Sequence, residues 1–240
     1  ARNSKNIVTR QAATIRFLME GSYQVLYGVA RAPKDGEAVS GDNYTFCQIP
    51  PGQVVMSLSD GMGTGERAGK ESQRVVELTE QLLAAGYMPK SALKLVNTVL
   101  LLAGEEQHPA TIDLCCIDLY TGVLEAMKLG AVSTFLIGSE GVELLQACDA
   151  PAGMFLQVEP MLLSRKLWEE DRIVMVSDGV LDALPGEDKE QIMVEYLEGI
   201  VKRNPQNMAE EILEFAEGIS EEVRDDMTVL VAGIWKKQSV

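Results

Sequence analysis

The chain has 240 residues, 46% hydrophobic and 24% charged, which suits one large globular domain and excludes a disordered or collagen-like chain. Lysine and arginine total 21 against 36 aspartate and glutamate, so the formal net charge is −15. Such a surface repels phosphate backbones and anionic lipid, which argues against nucleic-acid partners and against membrane contact by this chain.

The predicted elements begin with apolar residues at helical spacing, which indicate an N-terminal linker or regulatory helix over 1–20 ahead of one domain over 21–240. Alternating and β-branched stretches then predict three strands, a helix pair, six more strands, a second helix pair and a last strand. The predicted strands are Tyr23–Ala30, Val39–Phe46, Gln53–Ser59, Thr111–Leu119, Val123–Leu129, Thr134–Ile137, Val142–Gln146, Met161–Ser164, Arg172–Ser177 and Met227–Trp235, and the predicted helices cover 66–85, 89–103, 188–203 and 206–219.

Turn signals at Thr121-Gly122 and Glu140-Gly141 join consecutive strands, which must then run antiparallel. The helices come in pairs and do not alternate with strands, which argues against a doubly wound or TIM-type fold. We therefore expect an α/β protein of the α+β type: two stacked antiparallel β-sheets flanked by helix pairs, an αββα sandwich.

Histidine and cysteine are too scarce to supply a zinc site. His108 is the single histidine and lies in a predicted loop, so a Ser-His-Asp triad could use only this residue. Cys47, Cys115, Cys116 and Cys148 form no CxxC pair, which is typical of cysteines buried as small hydrophobic residues in a reducing compartment. The plentiful metal ligands are carboxylates, whose oxygens select hard cations such as Mg²⁺ or Mn²⁺.

No apolar run approaches the roughly 18 residues that span a bilayer, and the N-terminus has neither a signal-peptide core nor an initiator methionine. We expect a cytoplasmic domain of a longer parent protein, and we leave open a membrane anchor in an N-terminal region outside this sequence.

Four acidic positions lie at the ends of buried apolar strands. Asp42 follows Ser-Gly, Asp60 and Asp178 each stand in a Ser-Asp-Gly tripeptide, and Asp225 and Asp226 precede the last strand. Asp-Gly is also a common turn dipeptide, so either copy alone would indicate only a turn. Together, acids without histidine suit a site in which two cations lie about 4 Å apart and share a bridging carboxylate.

A glycine-rich run follows Asp60 but lacks the pattern of a phosphate loop. A dinucleotide fingerprint needs glycine where Glu66 stands, and a Walker loop needs Gly-Lys-Ser or Gly-Lys-Thr. Gly61 has no side chain, so its carbonyl can approach a cation closely. Gly63 and Gly65 suit either a hinge between Asp60 and the next helix or only a tight strand-to-helix turn.

These motifs, in this order, resemble those of the PPM (protein phosphatase 2C-like) family of metal-dependent serine/threonine phosphatases, in a bacterial branch connected with sporulation. The resemblance spans about Gly28 to Trp235 and is strengthened by Thr111-Ile112-Asp113-Leu114. The residues that carry it are Ser40–Asp42, Ser59–Glu66, Ser177–Gly179 and Asp225–Thr228.

The resemblance implies a centre of two Mn²⁺ or Mg²⁺ ions. Asp60 would bridge both ions, Asp42 and the Gly61 carbonyl would serve one, and Asp178 and Asp225 would serve the other. Asp225 matches the first acid of the family's acidic pair, and Asp226 is expected to support it. A metal-bound water or hydroxide, held by Asp42, Asp60 and Asp178, would attack phosphorus without a histidine or cysteine nucleophile. A counterpart of the phosphate-binding arginine of eukaryotic relatives is not identified. The resemblance also favours the hinge interpretation of Gly63 and Gly65, with the following helices as a regulatory switch.

The expected function is hydrolysis of a phosphoserine or phosphothreonine protein, by resemblance a phosphorylated anti-anti-sigma factor in sporulation control. Two alternatives stay open: a catalytically silent regulatory or scaffold domain of the same fold, and a Mg²⁺-dependent hydrolase of small phosphate esters. The intact acids argue against the first, and the missing nucleotide loop argues against the second. The sequence also leaves open a homodimer.

Overall fold

The computed structural model describes residues 20–103, 109–146, 150–201, 204–219 and 223–237. Apart from Glu20, the predicted N-terminal helix lies outside the described residues, and so do His108 and Cys148. The division of the chain at residue 20 therefore stays a prediction.

The described residues contain ten strands and five helices, close to the predicted order. The strands are β1 (Tyr23–Ala32), β2 (Asp42–Ile49), β3 (Gln53–Asp60), β4 (Ile112–Asp118), β5 (Val123–Leu129), β6 (Thr134–Ile137), β7 (Val142–Leu145), β8 (Leu163–Lys166), β9 (Arg172–Val176) and β10 (Met227–Lys236). The helices are α1 (Gly65–Ala84), α2 (Pro89–Leu102), α3 (Asp178–Asp182), α4 (Lys189–Gly199) and α5 (Pro205–Ile219).

The strands form two five-stranded sheets in which every neighbouring pair is antiparallel. Sheet A has the order β1-β10-β9-β6-β7, and sheet B has the order β2-β3-β4-β5-β8. Helices α1 and α2 cover the outer face of sheet B, and α4 and α5 cover that of sheet A. The predicted αββα sandwich is confirmed.

The alternation of side chains along each strand separates the apolar residues into layers. On β4, Cys115 and Ile117 pack between the two sheets, whereas Leu114 and Cys116 pack under α1 and α2. The adjacent cysteines thus point to opposite faces of one strand. Burial of a large aliphatic side chain such as Leu114 or Ile117 stabilises the fold by roughly 1.5–3 kcal/mol.

Three local predictions are wrong. Strand β2 begins at Asp42 rather than near Val39, because the preceding loop bonds to the Asp226 carboxylate through the backbone N–H groups of Gly41 (2.7 Å) and Lys34 (3.0 Å). Strand β8 is Leu163–Lys166 rather than Met161–Ser164, because its register is fixed by pairing with β5. The short helix α3 was not predicted. Within the described ranges, no helix is both long and apolar enough to cross a bilayer.

Candidate metal centre

Strands β2 and β3 bring two of the predicted ligands side by side. Asp42 and Asp60 are opposite each other in the antiparallel ladder. Asp42 is fully buried, and neither of its carboxylate oxygens has a hydrogen-bond partner among the described residues. A buried carboxylate without partners is costly unless a positive charge balances it.

Asp60 is held at the end of β3 by the residue that precedes β4. Its backbone N–H donates to the Thr111 hydroxyl (2.9 Å), and its carbonyl accepts from the Thr111 N–H (2.9 Å). The neighbouring Ser59 hydroxyl donates to the Thr111 carbonyl (2.7 Å). The first Ser-Asp-Gly segment is thus fixed to the next strand of its own sheet.

Asp178 is the first residue of α3, and it is held through the preceding Ser177, which bonds to residues at the start of β10 in sheet A. The Ser177 hydroxyl donates to the Asp226 carbonyl (3.2 Å) and accepts from the Thr228 N–H (2.9 Å). The second Ser-Asp-Gly segment is therefore fixed to the start of β10, next to Asp225.

Both glycines of the Ser-Asp-Gly segments lie against backbone from elsewhere in the fold. A Cβ atom on Gly61 would come within 2.3 Å of the Ala68 carbonyl oxygen in α1, and one on Gly179 within 2.2 Å of the Asp226 carbonyl oxygen. Backbone atoms cannot move aside as a side chain can, so both positions require glycine. The sequence interpretation of Gly61 considered only access to a cation and missed this packing constraint.

The paired acids before β10 have different environments. Asp225 accepts from the Asp226 N–H (2.8 Å) and lines a cavity of about 300 Å³ together with Gly179 and Asp182. Asp226 is almost fully buried, and its carboxylate holds the loop before Asp42. Asp226 thus fixes the backbone immediately before Asp42, and its supporting role at the centre stays a prediction.

Burial and neighbouring carboxylates raise the pKa values of Asp42, Asp60 and Asp178. Burial, followed by the charges of Asp42, Asp178, Asp225 and Asp226, raises the pKa of Asp60 from 3.8 to about 9. Burial is also the main cause that raises the pKa of Asp42 to about 7, while the nearby hydroxyls of Thr228 and Ser177 lower it and the charges of Asp226 and Asp178 raise it further. The pKa of Asp178 is raised by burial and then by Asp225 and Asp182. The predicted ligands therefore share one electrostatic site.

This donor set fits hard divalent cations, because it consists of oxygens, includes the two unpartnered oxygens of Asp42, and carries uncompensated negative charge. As the side chains stand, no three or more His, Cys, Asp or Glu residues in the described part of the chain are close enough to hold one ion. Binding of a cation would therefore draw the carboxylates closer together.

Sequence reasoning missed two basic residues beside the centre. The Arg31 guanidinium donates to the Asp42 carbonyl (2.5 Å). Lys128 is fully buried and forms an ion pair with Asp113, its partner across the β4–β5 hairpin. The signal for this pair was present in the sequence, since each arm of one predicted hairpin carries a charged residue within an apolar run.

Comparisons with known proteins agree with this architecture. A family described as Stage II sporulation protein E (SpoIIE) matches residues 50–235. Stage II sporulation protein E of Priestia megaterium is 33% identical over 216 residues, which cover 88% of this chain and 36% of that protein. The chain thus spans about a third of the length of this curated relative.

Solved structures with the same fold include the PP2C phosphatase domain and a fragment of the regulatory domain of SpoIIE from Bacillus subtilis. That structure is 31% identical, with a TM-score of 0.86, and the match covers 92% of this chain and 66% of that chain. The catalytic domain of the serine/threonine protein phosphatase PstP, in complex with two manganese ions, shares the fold at 17% identity and a TM-score of 0.68, covering 89% of this chain and all of that chain.

Two stacked antiparallel sheets, outer helix pairs and acids gathered at one end of the sheets define a PP2C-type serine/threonine phosphatase domain. Within that class, the chain belongs to the stage II sporulation protein E family.

Proposed function

We propose that this chain hydrolyses phosphoserine or phosphothreonine in a protein substrate and that the reaction depends on two Mn²⁺ or Mg²⁺ ions. The observation that carries the proposal is the fully buried Asp42, whose two carboxylate oxygens have no partner among the described residues, opposite Asp60 in one ladder. Bound cations would act as Lewis acids on the phosphoryl group and activate water as the nucleophile.

The ligand roles stay those that the family resemblance implies. Asp60 would bridge the two ions, Asp42 and the Gly61 carbonyl would hold one, and Asp178 and Asp225 would hold the other. The contacts of these residues support the assignment, because Asp60 and Asp178 each lie between a serine and a glycine that are fixed by backbone contacts. A backbone that is fixed in advance lowers the cost of the side-chain movement by which the carboxylates would close on a cation.

The substrate class is also a proposal. The family is named for sporulation, and the family resemblance implies a phosphorylated anti-anti-sigma factor as substrate. A cytoplasmic location and a longer, membrane-anchored parent protein stay predictions, as does a homodimer.

The hinge at Gly63 and Gly65 is part of the same proposal. Both glycines have positive φ, 99° and 77°, in the connection from Asp60 to α1. Residues other than glycine rarely adopt this backbone, so the connection depends on glycine. A shift of α1 would reach the centre directly, because α1 also packs its Ala68 carbonyl against Gly61.

A pair of assays tests the proposed function. Turnover of an aryl phosphate should require added Mn²⁺ or Mg²⁺ and stop in excess chelator, and a phosphoserine protein should be a better substrate than the aryl ester. Absence of any turnover with either metal would favour a silent scaffold, and turnover of small esters alone would favour a small-ester hydrolase. Full activity in excess chelator would contradict the metal centre.

A further inference from the structure

A buried ion pair beside the centre has no role in the function proposed so far. Lys128 of β5 and Asp113 of β4 are 0% and 1% exposed at their side chains. Replacing a buried ion pair by apolar residues is often neutral or stabilising, so stability alone is a weak reason for its presence.

Lys128 has no donor left for a substrate. Its ammonium group donates to Asp113 Oδ2, to the Val132 carbonyl (2.7 Å) and to the Thr134 hydroxyl (2.6 Å). An ammonium group has three donors, and all three are used. The charge of Lys128 therefore acts on Asp113 and does not bind a phosphate.

Asp113 is held rigidly by one oxygen only. Its Oδ2 accepts from Lys128 and from the Thr134 hydroxyl (2.5 Å), which belongs to β6 of the opposite sheet. Its Oδ1 is buried and has no hydrogen-bond partner among the described residues. An unpartnered buried acceptor is unfavourable, so a hydrogen-bond donor beside this oxygen would stabilise the fold.

The space beside Asp113 is shared with the metal centre. One small cavity is lined by residues of both sets: Asp60, Thr111, Asp113, Ser177 and Asp178. The centre of a water molecule can occupy about 20 Å³ of it. That volume is enough for about one water, and the lining is polar enough to hold it. Because Oδ2 is occupied by its two donors, Oδ1 is the oxygen of Asp113 that can serve this water.

We propose that Asp113, oriented by Lys128, is a positioning residue of the metal centre: its Oδ1 accepts a hydrogen bond from a water that completes the oxygen shell of the cation beside Asp60 and Asp178. This inference rests on the proposed function. A ligand water whose hydrogen is held in one direction keeps its lone pair directed at the cation. Partners of this kind, one step beyond the ligands, are typically worth 10–100-fold in metal affinity or activity.

The test is the Mn²⁺ affinity of the full chain, measured by titration calorimetry without substrate. Asp113→Asn should weaken Mn²⁺ binding about 10–100-fold. Because this variant leaves Lys128 without its counter-charge, the double variant Asp113→Leu/Lys128→Met is measured beside it, and it should remain folded with similarly weakened Mn²⁺ binding. In both variants kcat for an aryl phosphate should fall while KM for the ester stays near the wild-type value.

The matched control is Cys115→Ala, on the same strand and the same face as Asp113 and also fully buried. It should lower stability without changing Mn²⁺ affinity. Folded Asp113 variants that bind Mn²⁺ within about twofold of wild type would overturn the inference and leave the proposed function standing. A wild-type chain that binds no Mn²⁺ would overturn both.

Discussion

Ser59-Asp60-Gly61 lies at the end of β3 in sheet B and is followed by Gly63 and Gly65, two glycines of positive φ, where the 20-residue helix α1 begins. Ser177-Asp178-Gly179 follows β9 of sheet A and leads directly into the five-residue helix α3. The serines and glycines of the two segments make equivalent contacts, but with different elements. The Gly61 backbone lies against α1, and the Gly179 backbone lies against the residues before β10.

The centre has two halves, Asp60 with Gly61 and Asp178 with Asp225, and they differ in the elements that contact them. Each half is tied to an interior strand, since Asp60 lies on β3 between β2 and β4, and Ser177 bonds to β10 between β1 and β9. The Asp60 half is in contact with a surface helix, which can slide as a unit. Regulation that acts through α1 would thus reach Asp60 and Gly61 first.

The largest expected effect comes from removing one ligand charge in each half. Asp60→Asn and Asp178→Asn should each lower turnover at least about a thousandfold, because loss of a cation ligand removes several kcal/mol of transition-state stabilisation and 1.36 kcal/mol is a factor of ten. The melting temperature without metal should stay unchanged or rise, since like-charge repulsion is relieved. Turnover assays and thermal melts measure the two quantities.

The control for these variants is Glu140→Gln, an exposed acid in the β6–β7 turn, which should match wild type. Asp35 is less suitable, although it lies in a loop, because its carboxylate accepts from the Val223 N–H (3.1 Å) near Asp225. A wild-type rate in either ligand variant would show that the ligand assignment is wrong.

The two motif glycines should be intolerant of a single methyl group. Gly61→Ala and Gly179→Ala should each lower the free energy of unfolding by roughly 1–3 kcal/mol, because the new Cβ would overlap a backbone carbonyl. Gly218→Ala inside α5, where a Cβ meets no atom within 4 Å, should instead stabilise by about 0.5–1 kcal/mol. Urea denaturation distinguishes them, and a neutral Gly61→Ala would argue against tight contact with α1.

The pKa values make metal-free stability depend on pH. The pKa of Asp42 is raised to about 7 and that of Asp60 to about 9, so both carboxyls bind protons more tightly in the folded state. Their stabilising contribution is fully present below the unfolded value of 3.8 and is lost as pH rises through about 7 and 9. The melting temperature in chelator should therefore fall between pH 5 and pH 9.

The difference in melting temperature between wild type and Asp60→Asn separates the contribution of Asp60 from that of groups that titrate alike in both proteins. It should grow with pH in chelator, because the amide imitates the protonated acid, and excess Mn²⁺ should stabilise only the wild type. A difference that does not change between pH 5 and pH 9 would contradict the shared electrostatic site.

The smallest expected effect tests whether α1 is a regulatory element. Val75→Ala in α1 and Ile212→Ala in α5 both truncate fully buried residues on opposite outer layers and should cost roughly 1–4 kcal/mol each. Only Val75→Ala should change the Mn²⁺ concentration that gives half-maximal activity. A coupling free energy of about 0.5–2 kcal/mol between α1 and the metal centre corresponds to a change of about 2–30-fold. Equal metal dependence in both folded variants would make α1 a passive cover.

The structure changes which residues suit that experiment. From the sequence, helical spacing predicts that Val75, Leu78 and Leu95 lie on the buried faces of the helix pair. Val75 is buried and Leu78 is partly buried, but Leu95 is 38% exposed. In α2, apolar residues occupy more than one face of the helix, and periodicity alone cannot distinguish which of two apolar faces meets the sheet.

Much of the fold was predictable because its causes are local. Alternation along β4, turn residues between β4 and β5, and the apolar stripe of α1 each depend on neighbours in the chain. The two Ser-Asp-Gly segments were equally visible, since each follows an apolar strand. These features led to the αββα sandwich and to the acids at its strand ends.

The sequence by itself determined which groups are available to hold a cation in this protein: many carboxylates, a single histidine, and two glycines that follow two aspartates. Its net charge argues against nucleic-acid partners. Only the tertiary structure decided that Asp226 holds a loop and that Gly61 lies under α1. It also decided that Lys128 forms a buried ion pair with Asp113 beside the centre. The physical reason is that hydrogen bonds, steric overlap and desolvation depend on distances between residues far apart in the chain, and packing of the two sheets sets those distances.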